Sequence, residues 1–207
     1  MRIAQACPLP HTCVHSCYDQ RMIPSPPENR PDAKTAVLEA LARLRAQFPL
    51  EQRVHAASEP VRAAYAQVLA HWLRATPPPA SAFDAAALAA LAKLDAVVPE
   101  EHGLGCYPFS SADTGIRVTL PAGTVNAMCA IDALAIARLV RARTRIDAAC
   151  ASCAAAIAFP VEENGGLGHD QTEMARVIWR QAGGAQTSCS RGLCRQIRFL
   201  CRACTEP

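Results

Sequence analysis

Asn126-Ala127-Met128-Cys129-Ala130-Ile131-Asp132-Ala133-Leu134 decides how the rest of this chain is read. The stretch reads as the first turns of a buried helix. Cys129 and Asp132 stand three positions apart, so on a helix they share a face. The free N–H groups at a helix N-terminus favour a thiolate and lower its pKa. A carboxylate one turn further on is placed to move a proton. Met128, Ile131, Leu134, Ile136 and Leu139 would hold the pair in a partly dry site, where charge effects grow. The plain alternative is a buried free cysteine beside a solvated aspartate, since cysteine is among the most buried residue types.

Outward from this stretch the pattern alternates. Ile116, Val118 and Leu120 interleave with Arg117 and Thr119, which is a strand signature, and Pro121-Ala122-Gly123 turns the chain into the Cys129 helix. Arg138, Arg141 and Arg143 mark that helix's C-terminal end, where the dipole favours cations. Ile146 starts a second strand region carrying Cys150 and Cys153, and Ala155, Ile157, Phe159 and Val161 alternate as a strand. Asn164-Gly165-Gly166 is a turn, and Val177-Ile178-Trp179 belongs to another strand. The tail holds Cys189, Cys194, Cys201 and Cys204, and Cys201-x-x-Cys204 resembles half of a zinc ribbon or a redox pair. Its arginines fall at helical spacing, whereas Ile197 and Phe199 fit a strand, and both periods stay open. In either case the basic neighbours of Cys194 are expected to lower its pKa.

Toward the N-terminus the pattern is helical. Val37, Leu38, Leu41, Leu44 and Phe48 recur at helical spacing until Pro49. Pro60 opens a second helix with Val61, Tyr65, Val68, Leu69 and Trp72, closed by Pro77-Pro78-Pro79. Ser81 is the expected N-cap of a third, with Phe83, Leu88, Leu91 and Leu94. Gly103, Gly105 and Pro108 then break the helical pattern, and Ser110 to Gly115 reads as a turn. Residues 1–30 stand apart: Cys7, His11, Cys13, His15 and Cys17 crowd ahead of Pro24-Ser25-Pro26-Pro27. They read as a mobile thiol-rich head or a soft-metal site, although no standard zinc spacing is matched. The expected organisation is α+β. It comprises a head (1–30), an N-terminal helical, winged-helix-like module (31–100), and a small mixed or antiparallel sheet core with a catalytic helix (101–207).

Composition narrows the function classes. A chain of 207 residues with 51% hydrophobic content can bury a core, and its 5% aromatic content favours helices over aromatic-rich sandwich packing. A net charge of +3 is too small to imply nucleic acid. No apolar run reaches membrane-spanning length, and Met1 to Pro10 lacks the apolar core of a signal peptide. The expected location is therefore cytoplasmic. Eleven cysteines in such a chain point to metal, thiol chemistry or redox sensing, and an odd number excludes complete internal pairing.

Cys129-Ala130-Ile131-Asp132-Ala133-Leu134, the strand before it, and Leu193-Cys194-Arg195-Gln196-Ile197-Arg198-Phe199-Leu200 together resemble the bacterial organomercurial lyase (alkylmercury lyase) family. The similarity runs from about Ala80 to Leu200. In that family a cysteine-x-x-aspartate segment opens the catalytic helix, and a second catalytic cysteine precedes a later apolar run. The resemblance implies that Cys129, Asp132 and Cys194 are catalytic and hold mercury as substrate and product, and that Cys150 is structural. It implies a mercury-resistance enzyme that cleaves the carbon–mercury bond by protonolysis, using two thiolates and an aspartate proton shuttle. No organic cofactor is required; small thiols release mercury(II), and a mercuric reductase is an implied partner. Arg195 and Gln196 stand where histidines or cysteines are common in the family, and family members carry a further segment after the second cysteine. A shortened or diverged member fits those departures. Two other readings stand beside this one: a non-catalytic mercury- or soft-metal-binding protein, and a metal-sensing regulator using the N-terminal helices on DNA.

Overall fold

The structure is a computed structural model that describes residues 33–168, 175–179 and 188–204. The cysteine-rich head therefore lies outside the described residues. The chain divides into units at 1–41 and 42–207. In the first, the described residues begin helix α1 (Ala33–Gln47).

Helices α2 (Leu50–His55), α3 (Glu59–Trp72) and α4 (Ala85–Lys93) come after it. Pro60 sits in the first turn of α3, where the missing N–H costs nothing. The cap of α4 is Asp84, whose Oδ1 accepts the Ala87 N–H at 2.8 Å. Ser81 instead lies in a short 3₁₀ turn, Ala80–Ala82, so the capping expectation was three residues early. The glycines after α4 do more than break a helix. They form the hairpin β1 (Val98–Glu100) with β2 (Gly103–Gly105). A Cβ on Gly105 would lie 2.7 Å from the Glu100 carboxylate and 2.9 Å from Met128 Cε, so a larger residue here would displace the ends of those two side chains. Trp72 fastens α3 both to this hairpin and to the strand beyond it. Its indole N–H donates to Leu104 O at 3.0 Å, and its ring stacks on Phe109 at 5.5 Å.

A five-stranded antiparallel sheet comes next: β3 (Phe109–Ser110), β4 (Ile116–Leu120), β5 (Gly123–Ala127), β6 (Thr144–Ala149) and β7 (Ala156–Val161), in the order β3-β5-β4-β6-β7. The alternation read at Ile116, Val118 and Leu120 is the buried face of β4. Helix α5 (Ala130–Val140) packs across β4, β5 and β6. Pro121-Ala122-Gly123 closes the β4–β5 hairpin rather than leading directly into the helix. Asn126 and Ala127 are thus strand residues, paired with Arg117 and with Ser110 and Phe109. Arg141 ends α5 in the left-handed region at φ 51°. A separate hairpin, β8 (Ala175–Trp179) with β9 (Ile197–Cys201), settles the tail in favour of a strand. Phe199 of β9 meets Phe159 of β7 edge-on at 5.7 Å.

Candidate active site

Cys129 is the N-cap of α5, in extended backbone (φ −154°, ψ 178°), one residue before the helix begins. Its Sγ accepts the Asp132 N–H at 3.4 Å. Cysteine-x-x-aspartate thus takes the frame of a capping box, with sulfur in the place usually held by a hydroxyl or carboxylate. That single local motif places thiol and carboxylate together, as the three-residue spacing implied.

Cys194 arrives from the far end of the chain. A wide π-helical turn, Cys189–Leu193, runs into a tight 3₁₀ turn, Cys194–Gln196, directly ahead of β9. There the Cys194 thiol donates toward Asp132 Oδ2 at 3.8 Å. The Sγ atoms of Cys129 and Cys194 and a carboxylate oxygen of Asp132 all lie within 4.8 Å of one another. Both thiols are only 3% exposed, and Asp132 is partly buried.

Burial decides the electrostatics. The dipole of α5 and the tail arginines were expected to lower the two thiol pKa values, yet both are raised. For Cys129 desolvation is the largest cause, and it outweighs the hydrogen bonds from Cys194 and from the Asp132 backbone. For Cys194 the hydrogen bonds with Cys129 and Cys189 come first, then desolvation. Arg195 is exposed and does not compensate. Asp132 is pushed up to about 6 by burial, against the lowering effect of the hydrogen bonds from Cys129 and Cys194. At neutral pH the resting site is thus two neutral thiols beside a mostly ionised carboxylate.

Two further groups frame the site. Cys189 Sγ lies 3.6 Å from Cys194 Sγ, a third thiol within reach of the same atom. Asp95, at the end of the helical module, accepts the Ser188 hydroxyl and the Cys189 N–H, both at 2.7 Å, and the Tyr107 hydroxyl at 3.4 Å. It anchors the turn that presents Cys194. Burial, followed by Cys189 and Cys194, raises the Tyr107 phenol, which remains a neutral donor. Nothing in the local sequence marks Asp95 or Tyr107, and Cys189 carried no signal beyond being a cysteine. A cleft of about 460 Å³ has Met128, Ser190, Arg191 and Arg195 among its lining residues. These residues neighbour Cys129 and Cys194 in sequence.

Two soft sulfur donors beside one carboxylate form a donor set whose chemistry suits a thiophilic metal. Residues 109–205 match the family model described as alkylmercury lyase. A solved structure described as the mercury-bound form of MerB2 superimposes with a TM-score of 0.59 at 19% identity. The match covers 74% of this chain and 80% of the other. It shows a shared fold, α+β with N-terminal helices and antiparallel sheets. No curated protein sequence matches this chain. No helix among the described residues is long and apolar enough to cross a membrane.

Proposed function

We propose that this protein is an organomercurial lyase that cleaves the carbon–mercury bond by protonolysis at Cys129, Asp132 and Cys194. The observation that carries the reading is the convergence of two buried thiols and one carboxylate within 4.8 Å, all three inside the stretch that matches the alkylmercury lyase model.

The geometry supports an ordered sequence. The organomercurial RHgX exchanges its ligand X for the Cys129 sulfur, and the Cys129 proton leaves with X. The Cys194 thiol then passes its proton to Asp132 Oδ2 along the existing hydrogen bond, and its sulfur becomes the second donor to mercury. Two thiolates raise electron density on the metal and weaken the Hg–C bond. Asp132, now a carboxylic acid, delivers the proton to carbon as that bond breaks. The hydrocarbon RH leaves, and mercury(II) stays on Cys129 and Cys194. A carboxyl with a pKa of about 6 suits both halves of this shuttle, because it neither holds nor refuses the proton strongly near neutral pH. Cys189 is placed to take mercury from Cys194 during exchange to external small thiols. Mercuric reductase is the class of enzyme that would consume the product. In this reading residues 101–207 carry the chemistry in the cytoplasm, 31–100 support it, and 1–30 are dispensable.

The same three sulfurs favour one second reading, a soft-metal trap without turnover. Purified, reduced protein incubated with phenylmercury and excess thiol separates the two. Catalytic release of benzene, measured by gas chromatography, is expected. Stoichiometric mercury binding without benzene would leave only the trap.

A further inference from the structure

A second thiol cluster, sharing no residue with the first, lies where β6 leaves the central sheet and β9 ends. Cys150 and Cys153 occupy the turn after β6, and Cys201 and Cys204 occupy the end of β9 and the turn beyond it. Each pair has the C-x-x-C spacing of one half of a zinc site. The four Sγ atoms all lie within 4.8 Å of one another. We propose that Cys150, Cys153, Cys201 and Cys204 bind one zinc ion as a closed, structural four-thiolate site.

The geometry matches that ion. Zinc–sulfur bonds of about 2.3 Å in a tetrahedron set neighbouring sulfurs about 3.8 Å apart, and Cys153 and Cys201 Sγ are 3.6 Å apart. A disulfide requires about 2.05 Å, and all four cysteines are free. The turns are built as ligand loops. Ala154 N–H donates to Cys150 O at 2.9 Å, and Cys204 N–H donates to Cys201 O at 3.1 Å. Ala151 N–H reaches across to Phe199 O at 2.9 Å, which joins one turn to the neighbouring strand. The Cys201 N–H donates to Cys150 Sγ at 3.3 Å, a bond that supports a ligating thiolate. Cys150 is buried and Cys153 exposed, so the cluster sits at the protein's edge, where an ion can enter. Four protein ligands leave no open position, which assigns the ion a structural rather than a catalytic part.

That part bears on the mercury site through β9. The strand begins just after Cys194 and ends at Cys201, so a clip from Cys201 to the end of β6 fixes its far end against the central sheet. The clip holds β9 in place and therefore positions Cys194 against Cys129. The assignment stands whether or not the protein turns over organomercurials, because it uses different residues and a different ion.

The test uses the full chain, expressed with zinc and without mercury and purified under a non-chelating reductant. Elemental analysis is expected to give one zinc per chain. The double variant Cys153→Ser/Cys204→Ser is expected to lose it, and Cys129→Ser/Cys194→Ser to keep it. Replacement by cobalt(II) should give sulfur-to-cobalt charge-transfer bands and the strong visible bands of a tetrahedral site. This spectrum is read on the wild-type protein, so it decides the matter even if the double variant fails to fold. Reduced wild-type protein that holds no zinc and gives no cobalt–thiolate spectrum would overturn the assignment. So would zinc retained in full by a folded Cys153→Ser/Cys204→Ser variant.

Discussion

Replacing Asp132 with asparagine should make the protein more stable and far less active. The amide keeps the shape of the side chain but carries no charge and no acidic proton. Burial raises the Asp132 carboxyl from an ordinary 3.8 to about 6. At 1.36 kcal/mol per unit, ionising this group costs about 3 kcal/mol more in the folded protein than in the unfolded chain. A raised carboxyl favours the fold fully below the unfolded value of 3.8, and that contribution is lost as pH rises through about 6. Wild-type stability should therefore fall across this window relative to Asp132→Asn. Above it the variant should be ahead by up to about 3 kcal/mol, if the amide is as well accommodated as the neutral acid. Turnover should drop about 10²–10⁴-fold, the usual contribution of a general acid–base group, while stoichiometric organomercurial binding persists. The assays are urea unfolding of reduced, mercury-free wild type and variant at several pH values, and hydrocarbon release under excess thiol. Parallel stability curves through the window would refute a carboxylate made costly by burial. Cleavage at the wild-type rate would refute the proton shuttle.

Cys129→Ser and Cys194→Ser each replace a soft donor with a hard, mostly protonated hydroxyl; both should abolish hydrocarbon release, and retained turnover in either would remove that residue from the site. Transfer of an organomercurial from a small thiol to Cys129 hands the Cys129 proton to that thiol, so equilibrium competition should be flat through neutrality and should weaken above the small thiol's pKa of about 8.5, because burial keeps the Cys129 thiol protonated; binding that tightens there would contradict this. Deleting residues 1–21 should leave turnover at saturating substrate intact, and loss of folded protein would place the head in the core. Trp72→Ala should destabilise the fold by about 3–5 kcal/mol in chemical denaturation, since it removes both the stack on Phe109 and the bond to Leu104.

Local geometry was legible in the sequence because it depends on few residues. A three-residue spacing at a helix start puts Cys129 and Asp132 together whatever surrounds them, and alternation at Ile116–Leu120 and Ala155–Val161 implied strands that form as β4 and β7. The long helices followed from apolar periodicity. Short strands were harder: β1, β2 and β5 exist because partners pair with them, and their own residues read equally as turns. The tertiary structure alone brought Cys194 to Asp132 across 62 positions, since that contact depends on how β9 and its preceding turn pack near α5. It also reversed the expected thiol pKa directions. A helix dipole and neighbouring arginines are visible in sequence, whereas desolvation depends on everything packed around the sulfur, and here it is the larger effect at Cys129. The second thiol cluster divides the same way: each C-x-x-C half is written in the chain, but only the approach of β9 to the end of β6 makes the two halves one site.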